Sequence, residues 1–185
     1  MQPLALVRFG ATDPVEIDDA EAFFASAPFL TNIRYDFPDL SVEQLWSVVS
    51  SARMWSWLPT VWGCRYPEGE GPEAGVVRDF QMYLHHWLIY AQRERILHVE
   101  PGRRMMYTAV DATLPFFGTW LEDYRVEKVG SGSRLVWRMG VRVRFLGWLP
   151  MRWVSALLTP VFRFGLRGVR REVGDGGARE SRTFG

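Results

Sequence analysis

Among 185 residues the chain has one cysteine, Cys64, one lysine, Lys128, and three histidines. A single cysteine excludes an internal disulfide and a cysteine-rich zinc site. His85 and His86 are neighbours, so on a strand they point to opposite faces and cannot simply share an ion. With His98 the only other histidine, no metal site is expected. The scarcity of lysine is not a scarcity of positive charge. Lys and Arg together number 22 against 21 acidic residues, a net charge of +1 carried almost wholly by arginine. So even a balance argues against a dedicated nucleic-acid binder, although positive charge gathers after Arg134. No uninterrupted apolar run reaches about 18 residues, which argues against a spanning helix. Arg8, Asp13, Glu16, Asp18 and Asp19 stand where a secretory signal needs an apolar run, so a cytoplasmic protein is expected. There is no G-x-S-x-G elbow. Gly69, Gly71 and Gly75 approximate a phosphate loop only with Pro72 between them and a strand after them, which reads as a hairpin loop. No cofactor is expected.

What is abundant is apolar and aromatic surface: 48% apolar residues, 15% aromatic, nine of them tryptophan. That suits one globular domain with a sizeable core. The richest stretch is Leu149 to Val173. At helical spacing Met151, Val154, Leu158, Phe162, Gly165 and Val169 form one stripe, and Trp153, Leu157, Val161, Phe164 and Gly168 a second beside it. Arg152, Arg163, Arg167 and Arg170 lie on the remaining side. The spacing predicts a long helix, with a kink or restart at Pro160. So oily a helix needs a large apolar partner, which places Trp137 and Phe164 buried on facing elements.

The preceding chain can supply that partner. Residues 1–31 read as an N-terminal extension containing a short helix after Asp13-Pro14. Asn32 to Phe37 reads as a strand. Ser41, with Gln44 three residues on, has capping-box spacing ahead of a helix whose core face is Leu45, Val48 and Val49. From Val61 the period becomes two, with strands near 62–66, 76–84, 87–99, 104–110, 118–129 and 133–145. Gly130-Ser131-Gly132 gives a hairpin signal between the last two. Residues 174–185 read as a flexible tail. The fold class is α+β: a curved antiparallel sheet with helices on one face.

Alternation assigns the faces. Arg138, Arg142 and Arg144 point out of the last strand, which turns Trp137 and Met139 in. Asp123, Arg125 and Glu127 point out of the strand before it, which turns Trp120, Glu122 and Tyr124 in. Arg93 and Arg95 point out, bringing Tyr90, Gln92 and Glu94 inward. Phe80 and Met82 are the inward pair of their strand and bring Arg78 with them. Between Arg104 and Val110 the inward set is taken as Met106, Thr108 and Val110. Ionisable groups on an inner face are costly to bury unless paired or wet. One reading is that Arg78, Glu94 and Glu122 neutralise one another or sit at the rim. The other is a ligand cavity in which a few polar groups orient an apolar guest.

The strand–helix–strands–helix order resembles the START-like (SRPBCC, Bet v 1-like) helix-grip superfamily, which includes polyketide cyclases, pollen allergens and abscisic-acid receptors. The resemblance covers about Asn32 to Glu172, with the domain set at 32–173. It rests on the Ser41–Trp46 helix start and Trp55–Pro59 loop, Gly75 to Asp79, Arg93 to Ile96 with Glu100 to Arg104, Gly130 to Trp137, and the terminal helix. It implies a cavity between sheet and terminal helix for a lipophilic small molecule, lined by the positions of Glu94, Phe80, Met82 and Glu122. Three functions follow as expectations. The chain binds a polyketide, terpenoid or lipid-like molecule, with Leu157 and Phe164 of the helix joining the inward residues. Or it is a cyclase or dehydratase in which Glu94 or Glu122 moves protons while Arg78 or a tyrosine polarises a carbonyl. Or the terminal helix makes a peripheral membrane module, ranked last because the sheet already needs the oily face.

Overall fold

The computed structural model describes residues 9–67, 71–85, 87–114, 116–145 and 150–174 in full, and the backbone of 175–180. The elements in chain order are β1 (Gly10–Ala11), α1 (Ala20–Ser26), β2 (Phe29–Phe37), α2 (Val42–Val49), β3 (Val61–Arg65) and β4 (Val77–Leu84). They continue with β5 (Trp87–Glu100), β6 (Arg104–Ala112), β7 (Phe117–Val129), β8 (Gly132–Val143), α3 (Met151–Gly165), a 3-10 turn (Leu166–Gly168) and α4 (Val169–Glu180). The sheet is antiparallel throughout, in the order β2-β8-β7-β6-β5-β4-β3, with β1 added on β6. It curves as a half-barrel around the terminal helix, the helix-grip arrangement expected from the sequence.

Local chemistry accounts for the boundaries. Gln44 N–H donates to Ser41 Oγ (3.2 Å) and Ser41 N–H donates to Gln44 Oε1 (2.9 Å), closing the capping box of α2. Leu45, Val48 and Val49 of that helix are buried. Val129 pairs with Gly132 across a two-residue turn, and Gly130 supplies its positive φ of 59°. Pro160 neither breaks nor restarts α3. It lies on the exposed side of a helix that runs unbroken to Gly165, where a 3-10 turn leads into α4. The helix α4 continues to Glu180, across the start of the expected tail, and 181–185 lie outside the described residues, as do His86 and Pro115.

The sheet has two covered faces. On the inner face, Ile33, Phe37, Met105, Tyr107, Leu135 and Trp137 join α2, α3 and Leu166 in the main core. On the outer face, Val15, Ala20, Phe23 and Phe24 pack over Met106 and Leu121. The N-terminal segment is also pinned by polar contacts. Thr12 Oγ1 donates to Ala109 O (2.7 Å), Val15 N–H donates to Thr108 Oγ1 (3.1 Å), and Arg138 donates to Glu21 while lying 4.2 Å over the Phe24 ring. Asp123, its side chain wholly buried, accepts from Arg104 (2.8 Å), Arg125 (3.0 Å) and Arg138 (3.0 Å).

This second layer explains a misplaced register. Met106 and Thr108 face outward, and Met105, Tyr107 and Ala109 take the inner side. Tyr107 is the partner of Glu122, and Met106 that of Asp123. With apolar cover on both faces, β6 shows no alternation from which parity can be read. Bulges in the β5–β6 pairing at Arg93/Glu94 and Ile96/His98 break the count from β5 as well.

Candidate functional site

A cavity of about 340 Å³ opens between the inner face of the sheet and α3. The half-barrel supplies Arg78, Phe80 and Met82 from β4, Tyr90, Gln92 and Glu94 from β5, and Trp120 and Glu122 from β7. Trp137 and Met139 come from β8, and Val161, Phe162, Phe164 and Gly165 from α3. Lining residues that were not anticipated are Tyr107, hidden by the ambiguous parity of β6, Met54, Trp55 and Leu58 of the loop between α2 and β3, Val61 and Cys64 of β3, and Val161, Phe162 and Gly165 of α3. The loop's aromatic composition was its only sequence signal. Cys64 also lines the wall, and burial pushes its thiol up to about 12, so it stays protonated.

The loop is tied to the helix by close packing. Trp57 Nε1 donates to Gly165 O (2.8 Å), and its indole covers Gly168, where a Cβ would stand 2.0 Å from the ring. Trp55, at a positive φ of 70°, donates from Nε1 to Tyr124 Oη (3.2 Å), and its ring packs 5.0 Å from that of Trp137. Trp55 therefore lines the cavity against Gly165, while Trp57 behind it anchors the loop on Gly168, and both contacts depend on the absence of a side chain at those glycines.

Its polar groups form two sets. In the first, Arg78 is 2% exposed and donates from Nε to Glu94 Oε2 (2.8 Å) and from Nη1 to Tyr66 Oη (3.0 Å). Tyr66 in turn donates to Ser50 O (3.0 Å), and the guanidinium lies 4.3 Å over the Tyr107 ring. Gln92 Nε2 donates to Glu94 Oε1 (3.1 Å), and Tyr90 Oη donates to Gln92 Oε1. Burial raises the Glu94 carboxyl to about 7 against the opposing pull of Arg78, and burial likewise pushes Tyr90 up. In the second set, the carboxylate of Glu122 accepts from Trp120 Nε1 at Oε1 and from Trp137 Nε1 at Oε2, both at 2.7 Å.

The structure thus brings together Arg78, Phe80, Met82, Tyr90, Gln92, Glu94, Trp120, Glu122, Trp137 and Met139 at one cavity. Four residues expected with them lie elsewhere. Met106 and Thr108 sit under the N-terminal segment. Tyr124 faces inward but is packed in the core, stacked on Trp137 at 5.6 Å. Leu157 is 75% exposed. Phe164 reaches the cavity rim while remaining 66% exposed, so it is not buried opposite Trp137, whose partner on α3 is Phe162 at 5.4 Å. The inner stripe of α3 packs on the core of the concave sheet, while Trp153 and Leu157 of the second stripe are left outside and Val161 and Phe164 touch the cavity with most of their surface exposed.

Comparison with known proteins agrees with this geometry. Proteins of Mycobacterium tuberculosis and Mycobacterium bovis, both uncharacterized, are 26% identical over 163 residues, covering 82% of this chain and 86% of theirs. The crystal structure of Ara h 8.0201 superposes with a TM-score of 0.60 at 14% identity, over 79% of this chain and 97% of that one. A START superfamily protein from Mycobacterium smegmatis gives 0.59 at 14% identity with the same coverage. DynU16, a protein in the dynemicin biosynthetic locus, gives 0.55 at 12% identity, over 80% of this chain and 48% of that one. The family model for polyketide cyclase / dehydrase and lipid transport matches residues 36–174, and the chain belongs to that family.

Proposed function

We propose that the protein binds a lipophilic small molecule, polyketide, terpenoid or lipid-like, in the cavity between sheet and α3, with a hydroxyl or carbonyl of the guest set against Glu94. The observation that carries this reading is the buried Arg78–Glu94 pair in the wall of a largely apolar cavity. A packing core gains nothing from two desolvated charges that apolar residues of the same volume could replace. A binding site does gain, because one fixed polar group orients an apolar guest. The volume of about 340 Å³ suits a small, compact guest.

A second reading is favoured by one observation, the carboxyl of Glu94 poised at about 7. A group titrating near the working pH can both donate and accept a proton. In a cyclase or dehydratase it would protonate a departing hydroxyl or a carbonyl oxygen of the bound guest. Arg78 would hold the carboxyl in place through its Nε contact.

The test begins with native mass spectrometry of the purified protein, to identify a retained guest by mass. Titration calorimetry of that guest with wild type and Glu94→Gln follows. Loss of one charge-assisted hydrogen bond is expected to weaken affinity about ten- to a hundredfold. Unchanged affinity would make Glu94 a structural residue and remove the site assignment. Conversion of the guest by wild type but not by Glu94→Gln would select the second reading.

A further inference from the structure

The outward stripe of α3 is an unusual surface. Trp153, Leu157, Val161 and Phe164 are 78%, 75%, 61% and 66% exposed, and they follow one another along one side of the helix. At 3.6 residues per turn, Arg152, Arg163 and Arg167 fall along the edge beside this row. All three are exposed and none forms an ion pair among the described residues, and Arg167 lies 4.9 Å over the Phe164 ring of the row itself. The other edge of the row is the cavity mouth, because Val161 and Phe164 also line the cavity. No acidic residue occurs anywhere in α3.

We propose that this stripe docks the protein on an anionic lipid bilayer, with α3 lying in the plane of the interface and the cavity mouth facing the lipid. An amphipathic helix binds such a surface by burying its apolar row among the acyl chains while flanking arginines meet the lipid phosphates. Tryptophan at one end of the row suits the headgroup level. A second copy of the chain is a poorer occupant: pairing two α3 faces would set arginines against arginines, with no acid on either helix to answer them. No helix among the described residues is long and apolar enough to cross a membrane, so the contact is peripheral. The docking does not depend on what fills the cavity. That the guest passes between bilayer and cavity through the rim at Val161 and Phe164 is a consequence only where the binding reading above also holds.

The experiment is co-sedimentation with vesicles of phosphatidylcholine alone and of phosphatidylcholine mixed with phosphatidylglycerol. Two variants accompany the wild type: Trp153→Ser/Leu157→Ser, whose side chains do not line the cavity, and Arg152→Gln/Arg163→Gln/Arg167→Gln. The wild type is expected to prefer the mixed vesicles, with added salt weakening the binding and each arginine worth about fivefold. The serine variant is expected to lose binding to both while keeping its melting temperature and its affinity for a fluorescent apolar probe of the cavity. The glutamine variant is expected to lose the preference for anionic vesicles. Wild type that stays in the supernatant with both vesicle types overturns the proposal. So does vesicle binding that the serine variant retains, since that would be adsorption by another surface. A dimer in sedimentation equilibrium that the serine variant abolishes, without vesicle binding by wild type, assigns the stripe to self-association instead. Glu94→Gln is expected to sediment as wild type does, so failure of the cavity reading and failure of docking are read from different variants.

Discussion

Replacing Glu94 by Gln removes a titration without removing a shape. In the folded protein burial raises this carboxyl from 4.5 to about 7. The folded state therefore holds a proton between those values that the unfolded chain has released. Stability follows the difference in bound protons, so this group's contribution is fully present below about 4.5 and is lost as the pH rises through about 7. At about 1.4 kcal/mol per pH unit, the displacement amounts to about 3 kcal/mol, a large part of an ordinary domain's stability. Below about pH 4.5 both proteins carry a neutral group beside Arg78, and an amide oxygen still accepts from its Nε, so the two should agree within about 1 kcal/mol. At pH 8 the wild type should be the less stable by about 3 kcal/mol, because only its carboxyl must ionise against burial. Urea melts across this range, read as midpoints with a common slope, measure the difference directly. Every other titratable group is common to the two proteins, so the subtraction removes it. The reasoning is refuted if Glu94→Gln is the less stable protein at pH 8. In that event the ion pair would outweigh its own desolvation, and the carboxyl would act at neutral pH as a fixed anion.

Two further outcomes follow from the packing. Gly168→Ala places a Cβ inside the Trp57 indole, so the 51–60 loop must shift from α3. The expected loss is about 1–3 kcal/mol by thermal melting, with raised tryptophan quenching by acrylamide as the sign that the wall has opened. Asp123→Asn leaves three arginines on the outer face without their shared carboxylate, for an expected loss of about 3–5 kcal/mol. Burial alone would raise the Asp123 carboxyl, but Arg104 and Arg125 hold it below the usual range, so its contribution is lost as the pH falls through that lowered value. Hydrogen exchange should show the earliest loss of protection in α1, which is held to the same cluster through Arg138 and Glu21.

Much of this site was legible in the strands, because charge settles a face that hydrophobicity leaves open. Arg93 and Arg95 could not both be buried, so Glu94 had to be inward, and the same argument placed Glu122 and Trp137. On β6, Met105, Met106 and Tyr107 are adjacent and all buried, so hydrophobicity marks neither face. The strand's end charges, Arg104 and Asp111, both lie on the outer side, but seven positions apart they give opposite parities, because the bulge at Arg93/Glu94 adds a residue to β6, and between them the N-terminal segment has made the outer side a second core. The α2–β3 loop was legible only as aromatic. Its role as a wall depends on Trp57 meeting Gly168 across 111 positions of sequence, which no local pattern encodes.

The terminal helix failed for a different reason, and the failure is informative. Its two apolar stripes were both assigned to the sheet on the assumption that oily surface is buried within the chain. The concave face has a limited width, however, and it is Met151, Val154, Leu158 and Phe162 that pack against its core. What remains, Trp153, Leu157, Val161 and Phe164, is more apolar surface than the fold can use. Scattered exposed apolar residues need no explanation, but a contiguous row bordered by exposed arginines that form no ion pair among the described residues does. The sequence carried both halves of that row in full view. Only the curvature of the sheet could say which stripe was spare, and the spare one runs along the mouth of the cavity.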